Sequence, residues 1–340
     1  MHYSNERINN IGIQMVKSSR DNQHYFSYKI VVVIPYFNAF KEIARVVSKL
    51  PDYIHTVIIV DDKSPIPIPK AAIEQIINPK TTPCFLENDI NLGVGGATKK
   101  GFEKAMAIGA DIVIKVDADD QMDLNYIPEL LSPLISQNAT VAKGNRFKDM
   151  KALQKMPVIR RIGNLGLSFL IKSATGYWHN FDPTNGFFAI KTEVLKKIEF
   201  SKLANRYYFE TSLLAQLYFE KAKIKDVPMP AIYGDEKSSM KIWQMPFVFS
   251  LQLSKTFIKR IVKEYFLYDF NIGSVYLLFG VPLFMFGLIF GIWEWIYYAS
   301  INTFAPTGTI MIVTLSIILG FQLILQAIQY DIINAPKSSR

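Results

Sequence analysis

The chain has 340 residues, half of them hydrophobic, and a formal net charge of +9. This length accommodates a core domain of about 150–250 residues together with further elements. A single cysteine, Cys84, excludes a disulfide within the chain, and four scattered histidines without metal-ligand spacing argue against a zinc site. The positive charge is compatible with nucleic acid, an anionic membrane surface or a phosphorylated substrate as partner.

The first two-thirds of the chain combine a polar start with an α/β pattern. Residues 1–28 lack an apolar run, so we expect a flexible N-terminal extension without a signal peptide. Over residues 29–240, strands are predicted at 30–34, 56–60, 84–87 and 111–116, and helices at 39–50, within 64–80 and at 95–108. Alternating strands and helices predict a mostly parallel, Rossmann-like sheet with its ligand site at the carboxyl ends of the strands.

Two long apolar segments occupy the C-terminal part of the chain. Residues 272–292 and 295–330 contain no charged side chain. About 20 helical residues cross the hydrocarbon core of a bilayer. We therefore predict two transmembrane helices, near 272–293 and 307–329, which form a hairpin within 272–330 and are followed by a tail at 331–340. A pair of buried helices in a soluble domain is the alternative.

Basic residues flank this hairpin on its outer sides and are missing from the loop between the spans. They are Lys255, Lys259, Arg260, Lys263, Lys337 and Arg340. The positive-inside rule then places the soluble domain and both termini in the cytoplasm. Residues 241–271 mix basic with aromatic side chains, which predicts juxtamembrane amphipathic helices in contact with membrane lipids, with a plain surface helix as the alternative. This clustering favours lipids over nucleic acid as the partner.

Two carboxylates follow the fourth predicted strand directly. Asp117 and Asp119 are spaced by one residue, and Gln121 adds an amide oxygen two residues later. Oxygen ligands suit Mg²⁺ or Mn²⁺, and such an ion would neutralise charge on a diphosphate leaving group. We therefore predict a metal site at Asp117, Asp119 and Gln121, with a solvated acidic loop as the alternative.

Polar residues also end the second and third predicted strands. Asp61 and Asp62 are candidates for hydrogen bonds with a nucleoside, although a turn-forming role before residues 63–65 is equally compatible with their position. Asn91 and Gly93 lie in a glycine-rich loop that enters a helix, so its N–H groups are candidates for binding phosphate. The glycines do not have G-x-G-x-x-G spacing, and a simple turn is the alternative.

Taken in order, these motifs resemble the family 2 glycosyltransferases of GT-A fold. The similarity is to the polyprenyl-phosphate branch, which includes dolichyl-phosphate mannose synthase and the bacterial undecaprenyl-phosphate sugar transferases. The matching segments are 32–38 (VVIPYFN), 58–64 (IIVDDKS), 91–101, 117–121 (DADDQ), 144–147 (GNRF) and 182–187 (DPTNGF). Departures from the usual pattern occur at Ala39, at Val94 and across 233–239.

The resemblance implies an inverting hexosyltransferase that uses a UDP- or GDP-sugar donor and a polyprenyl phosphate acceptor. It implies that Pro35, Phe37, Asn38, Asp61, Asp62, Asn91, Gly93 and Asp117 bind the nucleotide-sugar. Lys237 is a further candidate for contact with the diphosphate, although the segment around it departs from the family's pattern. Arg146 and either Arg160 or Arg161 would bind the acceptor phosphate, with Arg161 preferred. Asp119, Arg146 and Asp182 are the predicted catalytic residues. Asp182 would orient the acceptor or an arginine, and Glu210 would support a residue that contacts the substrate. A structural role is the alternative for both Asp182 and Glu210.

The choice of acceptor depends on whether the reaction needs a base. A hydroxyl acceptor must lose a proton, whereas a phosphate monoester is already largely a dianion at neutral pH. The base-bearing motifs of sugar-polymerising relatives are missing from the sequence, so we favour the lipid phosphate. The alternatives are a hydroxyl acceptor with Asp182 or Glu210 as base, and a non-catalytic membrane scaffold. Gly280, Gly287 and Gly291 further suggest homo-oligomerisation through the spans.

Overall fold

The computed structural model of the chain describes residues 24–146, 158–230 and 245–336. Two compact units are present. One contains the described residues up to Lys172 together with His179–Phe249, and the other contains Ser173–Trp178 and Ser250–Ala335. The predicted N-terminal extension lies largely outside the described residues. Its last part does not, because Tyr25 is buried and its ring lies 4.7 Å from that of Tyr53, so the folded domain begins before residue 29.

The first unit is built on a seven-stranded sheet in the order β3-β2-β1-β4-β6-β5-β7. All neighbouring strands are parallel except β6, which is antiparallel to both β4 and β5. The strands are β1 (Ile30–Tyr36), β2 (Thr56–Asp61), β3 (Thr82–Glu87), β4 (Ile112–Lys115), β5 (Val141–Asn145), β6 (Phe188–Lys191) and β7 (Ile224–Pro228). The predicted mostly parallel α/β fold is therefore confirmed.

Seven helices accompany the sheet in the described part of this region. They are α1 (Ile43–Ser48), α2 (Lys70–Ile76), α3 (Val94–Ala107), α4 (Ile127–Ile135), α5 (Val158–Thr175), α6 (Thr192–Leu195) and α7 (Phe209–Phe219). Helix α1 is shorter than the predicted helix at 39–50. Asn38 has a φ of +54°, and the Ala39 carbonyl accepts hydrogen bonds from the amides of both Glu42 and Ile43, so a turn precedes the helix.

Strand residues that alternate in sequence supply the core on both faces of the sheet. Val32 and Ile34 belong to one buried cluster that also includes residues of α1 and α4. The opposite face packs against α3, where a Cβ on Gly101 would lie 2.3 Å from the Val33 side chain. Glycine at this position therefore lets α3 lie directly against β1, which fixes the loop that precedes the helix at the edge of the sheet.

The second unit contains the apolar helices. The remaining helices are α8 (Met245–Val262), α9 (Ile272–Ser300) and α10 (Thr307–Ile333), and a π-helical turn covers Lys263–Leu267. Helices α9 and α10 are long and apolar enough to cross a membrane, which agrees with the two predicted spans. The side chain of Asn271 accepts hydrogen bonds from the amides of Gly273 and Ser274, and this cap sets the start of α9.

Glycines hold the two long helices together within one chain. A Cβ on Gly320 would lie 2.4 Å from the Phe284 nitrogen, and one on Gly287 would lie 2.9 Å from the Ile317 nitrogen. Gly280 and Gly291 likewise face α10 at Leu323 and Val313. The glycines from which we predicted homo-oligomerisation therefore serve packing inside the hairpin, and that argument for an oligomer no longer holds.

A buried carboxylate joins several elements of the second unit. Asp331, near the end of α10, accepts hydrogen bonds from Arg260 of α8, from the Tyr265 hydroxyl and from the Trp178 indole. Arg260 and Asp331 are both almost completely buried. The predicted boundary at residue 331 therefore lies inside a helix, and Arg260 neutralises a carboxylate instead of facing solvent.

Candidate active site

The candidate residues gather at one edge of the sheet. Tyr36, Asp61, Lys115 and Asn145 are the last residues of β1, β2, β4 and β5, which all run in the same direction. Strand β6 runs the opposite way, so the segment at 182–187 returns to this edge before the strand begins. Carboxyl ends of parallel strands are the usual place for a ligand in an open α/β sheet.

Asp117 is held by a buried lysine from the end of β4. Lys115 is 1% exposed, and its Nζ lies 2.6 Å from Asp117 Oδ1 and 3.3 Å from Glu210 Oε1. Burial disfavours the charged amine, but the two carboxylates outweigh it and raise the pKa of Lys115. Lys115 is therefore a fixed cation that orients Asp117, and Glu210 of α7 is its second partner. Sequence reasoning did not identify this lysine, although a charge at the end of the apolar strand IVIK was a usable signal.

The loop after Asp117 separates its acidic side chains. Asp120 has a φ of +58°, and its carboxylate pairs with Lys49 Nζ at 2.6 Å and with Arg45 Nε at 3.3 Å. Asp120 is thus directed towards α1. Asp119 Oδ1 accepts a hydrogen bond from the Gln121 amide at 3.1 Å, which closes a tight turn. Asp120 therefore anchors the loop to α1. Three other side chains of the loop remain candidates for binding a metal ion: Asp117, Asp119 and Gln121.

The donor set and the space around it fit a divalent cation. A Cβ on Gly186 would lie 2.8 Å from Asp117 Oδ2 and 2.5 Å from Lys115 Nζ, so glycine preserves the space beside this carboxylate. Asp117 and Glu210 both contact the Lys115 ammonium, and Asp119 follows Asp117 by two residues in the same loop. Carboxylate oxygens of this kind are the ligand type that suits Mg²⁺ or Mn²⁺. Within the described residues, no group of three or more His, Cys, Asp or Glu side chains is arranged for a metal. An ion here would therefore need ligands beyond Asp117 and Asp119.

Hydrogen bonds join the loop after β1 to the loop after β2, where nucleotide binding is predicted. The Asn38 amide donates to Ser64 Oγ at 2.9 Å, and the Ser64 amide donates to Asp61 Oδ1 at 2.7 Å. Burial raises the pKa of Asp61 against the effect of this Ser64 amide. Phe37 is 51% exposed, whereas Pro35 is buried within β1. An aromatic surface and a carboxylate that accepts hydrogen bonds thus belong to one connected loop pair.

Asp62 binds the main chain of the glycine-rich loop through hydrogen bonds. Its carboxylate is 2% exposed and accepts hydrogen bonds from the Asn88 side chain at 2.8 Å, the Leu92 amide at 2.9 Å and the Gly93 amide at 2.6 Å. A buried carboxylate with three N–H donors is a structural anchor. Any contribution of Asp62 to nucleotide binding therefore acts through the loop that carries Asn91 and Gly93.

The glycines of this loop permit close packing against residues 204–206. Gly93 has a φ of +88°, and a Cβ there would lie 2.8 Å from the Asn205 carbonyl oxygen. The Gly96 amide donates to that same carbonyl at 3.0 Å. Because the amides of Leu92, Gly93 and Gly96 all donate within the protein, the prediction that the loop presents its N–H groups to phosphate is wrong for these three.

Arg146 and Asp182 form a forked ion pair at the end of β5. Arg146 Nε donates to Asp182 Oδ2 at 2.8 Å, and Nη2 donates to Oδ1 at 3.0 Å. The main-chain N–H of Arg146 also donates to Oδ2, at 3.1 Å. The Asp182 side chain is completely buried, whereas that of Arg146 is 42% exposed. Asp182 therefore fixes the orientation of a guanidinium that solvent can reach.

A second buried lysine lies beneath this pair and was not predicted. Lys143 of β5 donates to the carbonyl of Asn185, and its Nζ lies 5.9 Å from the centre of the Phe188 ring. Burial lowers the pKa of Lys143 to about 8, against the opposing effect of Asp182 and Glu210. Lys143 ties the segment at 182–187 to the sheet. Lys143 could have been found only by its position inside a strand. Strand β5 has the sequence VAKGN, which does not show the apolar pattern of a buried strand.

Two predicted basic residues cannot be placed in this arrangement. Lys237 lies outside the described residues. Arg161 belongs to α5, but its side chain, like that of Arg160, is also outside what the structure describes. Their predicted contacts with diphosphate and acceptor phosphate stay predictions.

Solved structures with the same fold include glucosyl-3-phosphoglycerate synthase from Mycobacterium tuberculosis. A crystal structure of that enzyme with Mn²⁺, uridine diphosphate and glucosyl-3-phosphoglycerate superimposes with a TM-score of 0.51 at 17% identity. The match covers 71% of this chain and 82% of that one. At this identity the similarity establishes the GT-A-like fold of the first unit.

Sequence relatives support a closer relationship. The UDP-N-acetylglucosamine–dolichyl-phosphate N-acetylglucosaminyltransferase of Methanococcus voltae is 32% identical over 218 residues, covering 61% of this chain and 86% of the relative. The dolichol-phosphate mannosyltransferase of Pyrococcus furiosus is 23% identical over 205 residues, covering 59% and 55%. The model of the family described as "Glycosyl transferase family 2" matches residues 31–199. With its fold, its Asp117–Asp119 loop and these relatives, the chain belongs to glycosyl transferase family 2 and is a glycosyltransferase.

Proposed function

We propose that this enzyme transfers a sugar from a UDP- or GDP-sugar to polyprenyl phosphate, with inversion, at the cytoplasmic face of a membrane. The names of the relatives from Methanococcus voltae and Pyrococcus furiosus support this acceptor class, since both contain dolichyl or dolichol phosphate. The product would serve the synthesis of cell-envelope glycans or other glycoconjugates.

The observation that carries the proposal is the engagement of Asp182 by Arg146. A hydroxyl acceptor would need Asp182 or Glu210 as a general base. Both oxygens of Asp182 accept hydrogen bonds from Arg146, and its side chain is completely buried. Glu210 lies against the ammonium of Lys115. The geometry thus favours an acceptor that needs a cation and arrives already deprotonated, as a phosphate monoester does.

The roles of the residues follow from this arrangement. Arg146, oriented by Asp182, binds the acceptor phosphate through a planar guanidinium, which suits phosphate oxygens. The loop pair that contains Phe37, Asn38 and Asp61 holds the nucleoside. A phosphate oxygen of the acceptor then attacks the anomeric carbon, a bond forms between them, and the nucleoside diphosphate leaves from the opposite side. Rate acceleration comes from positioning and electrostatics.

Asp117, Asp119 and Gln121 would hold the divalent cation, with Lys115 orienting Asp117 and Gly186 leaving space beside it. When bound, Mg²⁺ or Mn²⁺ supplies positive charge to the diphosphate leaving group.

The second unit supports a membrane location. Helices α9 and α10 are long enough and apolar enough to cross a membrane. At the end of α9, Trp293 and Trp295 are 71% and 75% exposed, as expected for aromatic residues at a lipid–water boundary. The lysines at 255, 259 and 263 precede the start of α9. By the positive-inside rule they favour a cytoplasmic location for the N-terminal end of this helix. An anchored enzyme would meet an acceptor that is itself dissolved in the bilayer.

A donor panel tests the proposal. The full chain in lipid bicelles is incubated with polyprenyl phosphate, Mn²⁺ and each of several UDP- and GDP-sugars, and the extracted lipids are examined by mass spectrometry. We expect one donor to give an acid-labile lipid whose mass equals polyprenyl phosphate plus one sugar residue. No transfer to polyprenyl phosphate, together with transfer in a parallel reaction supplied with a glycan acceptor, would instead support the hydroxyl-acceptor alternative.

A further inference from the structure

A further carboxylate, Asp226 on β7, lies next to the segments that carry Arg146 and Asp182. Asp226 Oδ1 accepts a hydrogen bond from the Asn180 side chain at 2.7 Å. Asp226 Oδ2 accepts from the Asn145 side chain at 3.0 Å and from the Phe181 amide at 2.8 Å. One side chain thus joins the end of β5 to the segment that precedes β6.

The three donors are close in sequence to the two residues of the forked ion pair. Asn145 immediately precedes Arg146, and Asn180 and Phe181 immediately precede Asp182. Asn145 is completely buried and Asn180 is 4% exposed, so water does not readily replace Asp226 as their acceptor. Strand β7 pairs with β5 in a register that places Asp226 opposite Lys143, which anchors the carboxylate on the sheet.

We propose that Asp226 is a positioning residue for the acceptor phosphate, because it sets the separation of the two chain segments that carry Arg146 and Asp182. This inference rests on the proposed role of Arg146 in binding the acceptor. Asp226 lies away from the predicted nucleoside contacts, since Asp61 ends β2 and Phe37 and Asn38 follow β1, whereas β7 is at the other end of the sheet order.

The physical basis is the match between two carboxylate oxygens and three N–H donors. A carboxylate only accepts hydrogen bonds, whereas an amide in its place turns one acceptor into a donor. In Asp226→Asn, an N–H group would therefore face another N–H group at one of the three contacts. A half-turn of the Asn180 amide can restore that contact, but the donors on Asn145 and Phe181 then face an uncharged oxygen and are held less strongly. The weaker bonds allow β5 and residues 180–182 to shift, and a small displacement of a positioning group reduces reactivity strongly.

The test compares Asp226→Asn with Asp111→Asn in the full chain. Asp111 also accepts a main-chain hydrogen bond, from Lys29, but it lies at the opposite edge of the sheet from the site. For Asp226→Asn we expect the KM for polyprenyl phosphate to rise about tenfold, as loss of a charge-assisted hydrogen bond would give. The KM for the nucleotide-sugar should change by less than about twofold. Asp111→Asn should leave both values unchanged.

Two further variants separate positioning from a general loss of folding. Asp226→Glu keeps the charge and should restore part of the acceptor affinity, and Asn180→Ala removes a single contact and should raise the acceptor KM by a smaller factor. If Asp226→Asn does not fold, these two variants carry the test. Equal losses for donor and acceptor, together with a lower Tm, would show a merely structural role and overturn the inference.

Binding of polyprenyl phosphate without a donor, measured by the shift in Tm, provides a readout that does not depend on turnover. A wild-type chain that neither binds nor glycosylates this lipid would overturn the proposed function and the inference together. A wild-type chain that does both, with Asp226→Asn unchanged, would overturn the inference alone.

Discussion

Replacement of Asp182 by asparagine tests the assignment of this carboxylate to Arg146. The substitution keeps the size of the side chain but places an NH₂ group at one of the two oxygen positions. If that position is Oδ2, the contacts with Arg146 Nε and with the Arg146 amide are lost. Hydrogen bonds to a charged group contribute about 1.5–3 kcal/mol each, and partial exposure of Arg146 favours the lower end.

Loss of both contacts gives about 3 kcal/mol, which corresponds to roughly a hundredfold change in an equilibrium or rate. We therefore expect kcat/KM for polyprenyl phosphate to fall by about this factor in Asp182→Asn. The measurement is steady-state transfer by the full chain in bicelles, with the acceptor varied at saturating donor. Asp111→Asn is the matched control, because it makes the same chemical change at the far edge of the sheet.

The double variant with Arg146→Lys identifies the mechanism. If Asp182 acts by orienting Arg146, the asparagine substitution should cost little more once the forked guanidinium has been removed, because residues in one network are not additive. If Asp182 instead accepts a proton from a hydroxyl acceptor, the substitution should reduce kcat by the same factor in both backgrounds. Equal losses in the two backgrounds would therefore refute the reasoning.

Three further predictions concern other parts of the site. Gly186→Ala places a methyl group against the Asp117 carboxylate and should raise the Mn²⁺ concentration needed for half-maximal activity about tenfold; an unchanged requirement would remove Gly186 from the metal site. Asp62→Asn disturbs three hydrogen bonds to a buried carboxylate and should lower the free energy of unfolding by about 2–3 kcal/mol, seen as a lower Tm; an unchanged Tm would contradict its role as an anchor. The lowered pKa of Lys143, about 8 against an ordinary 10.5, means that the unfolded chain binds more protons in this pH window. Stability should therefore rise with pH between these values, and Lys143→Met should abolish the rise as measured by Tm against pH.

The parallel half of the sheet could be predicted because its strands are apolar. Runs such as residues 30–34 and 56–60 are rich in valine and isoleucine and are bounded by turn residues, so their periodicity is unambiguous. Strands β5 and β7 could not be assigned from periodicity, because VAKGN and IKDVP contain the charged residues of the site. The residues that make the site functional are therefore those that obscure its secondary structure.

The candidate site shows the same division between what is local and what is not. The spacing of Asp117, Asp119 and Gln121 is visible along the chain. The contacts of Lys115 with Glu210, and of Asp226 with Asn180, span 95 and 46 residues. Only the fold brings such groups together. The role of the glycine-rich loop that contains Gly93 and Gly96 could not be predicted for a related reason. Sequence alone does not distinguish a loop that binds phosphate from one that packs against a neighbouring segment.

The chemical nature of the acceptor is the central claim, and one comparison tests it directly. The full chain is supplied with its nucleotide-sugar, Mn²⁺ and either polyprenyl phosphate or the corresponding polyprenol, and transfer of the sugar to lipid is quantified. We predict transfer to the phosphate and none to the alcohol, because Arg146 offers a cation and Asp182 is already engaged by it. Transfer to the plain alcohol at a comparable rate would contradict the account.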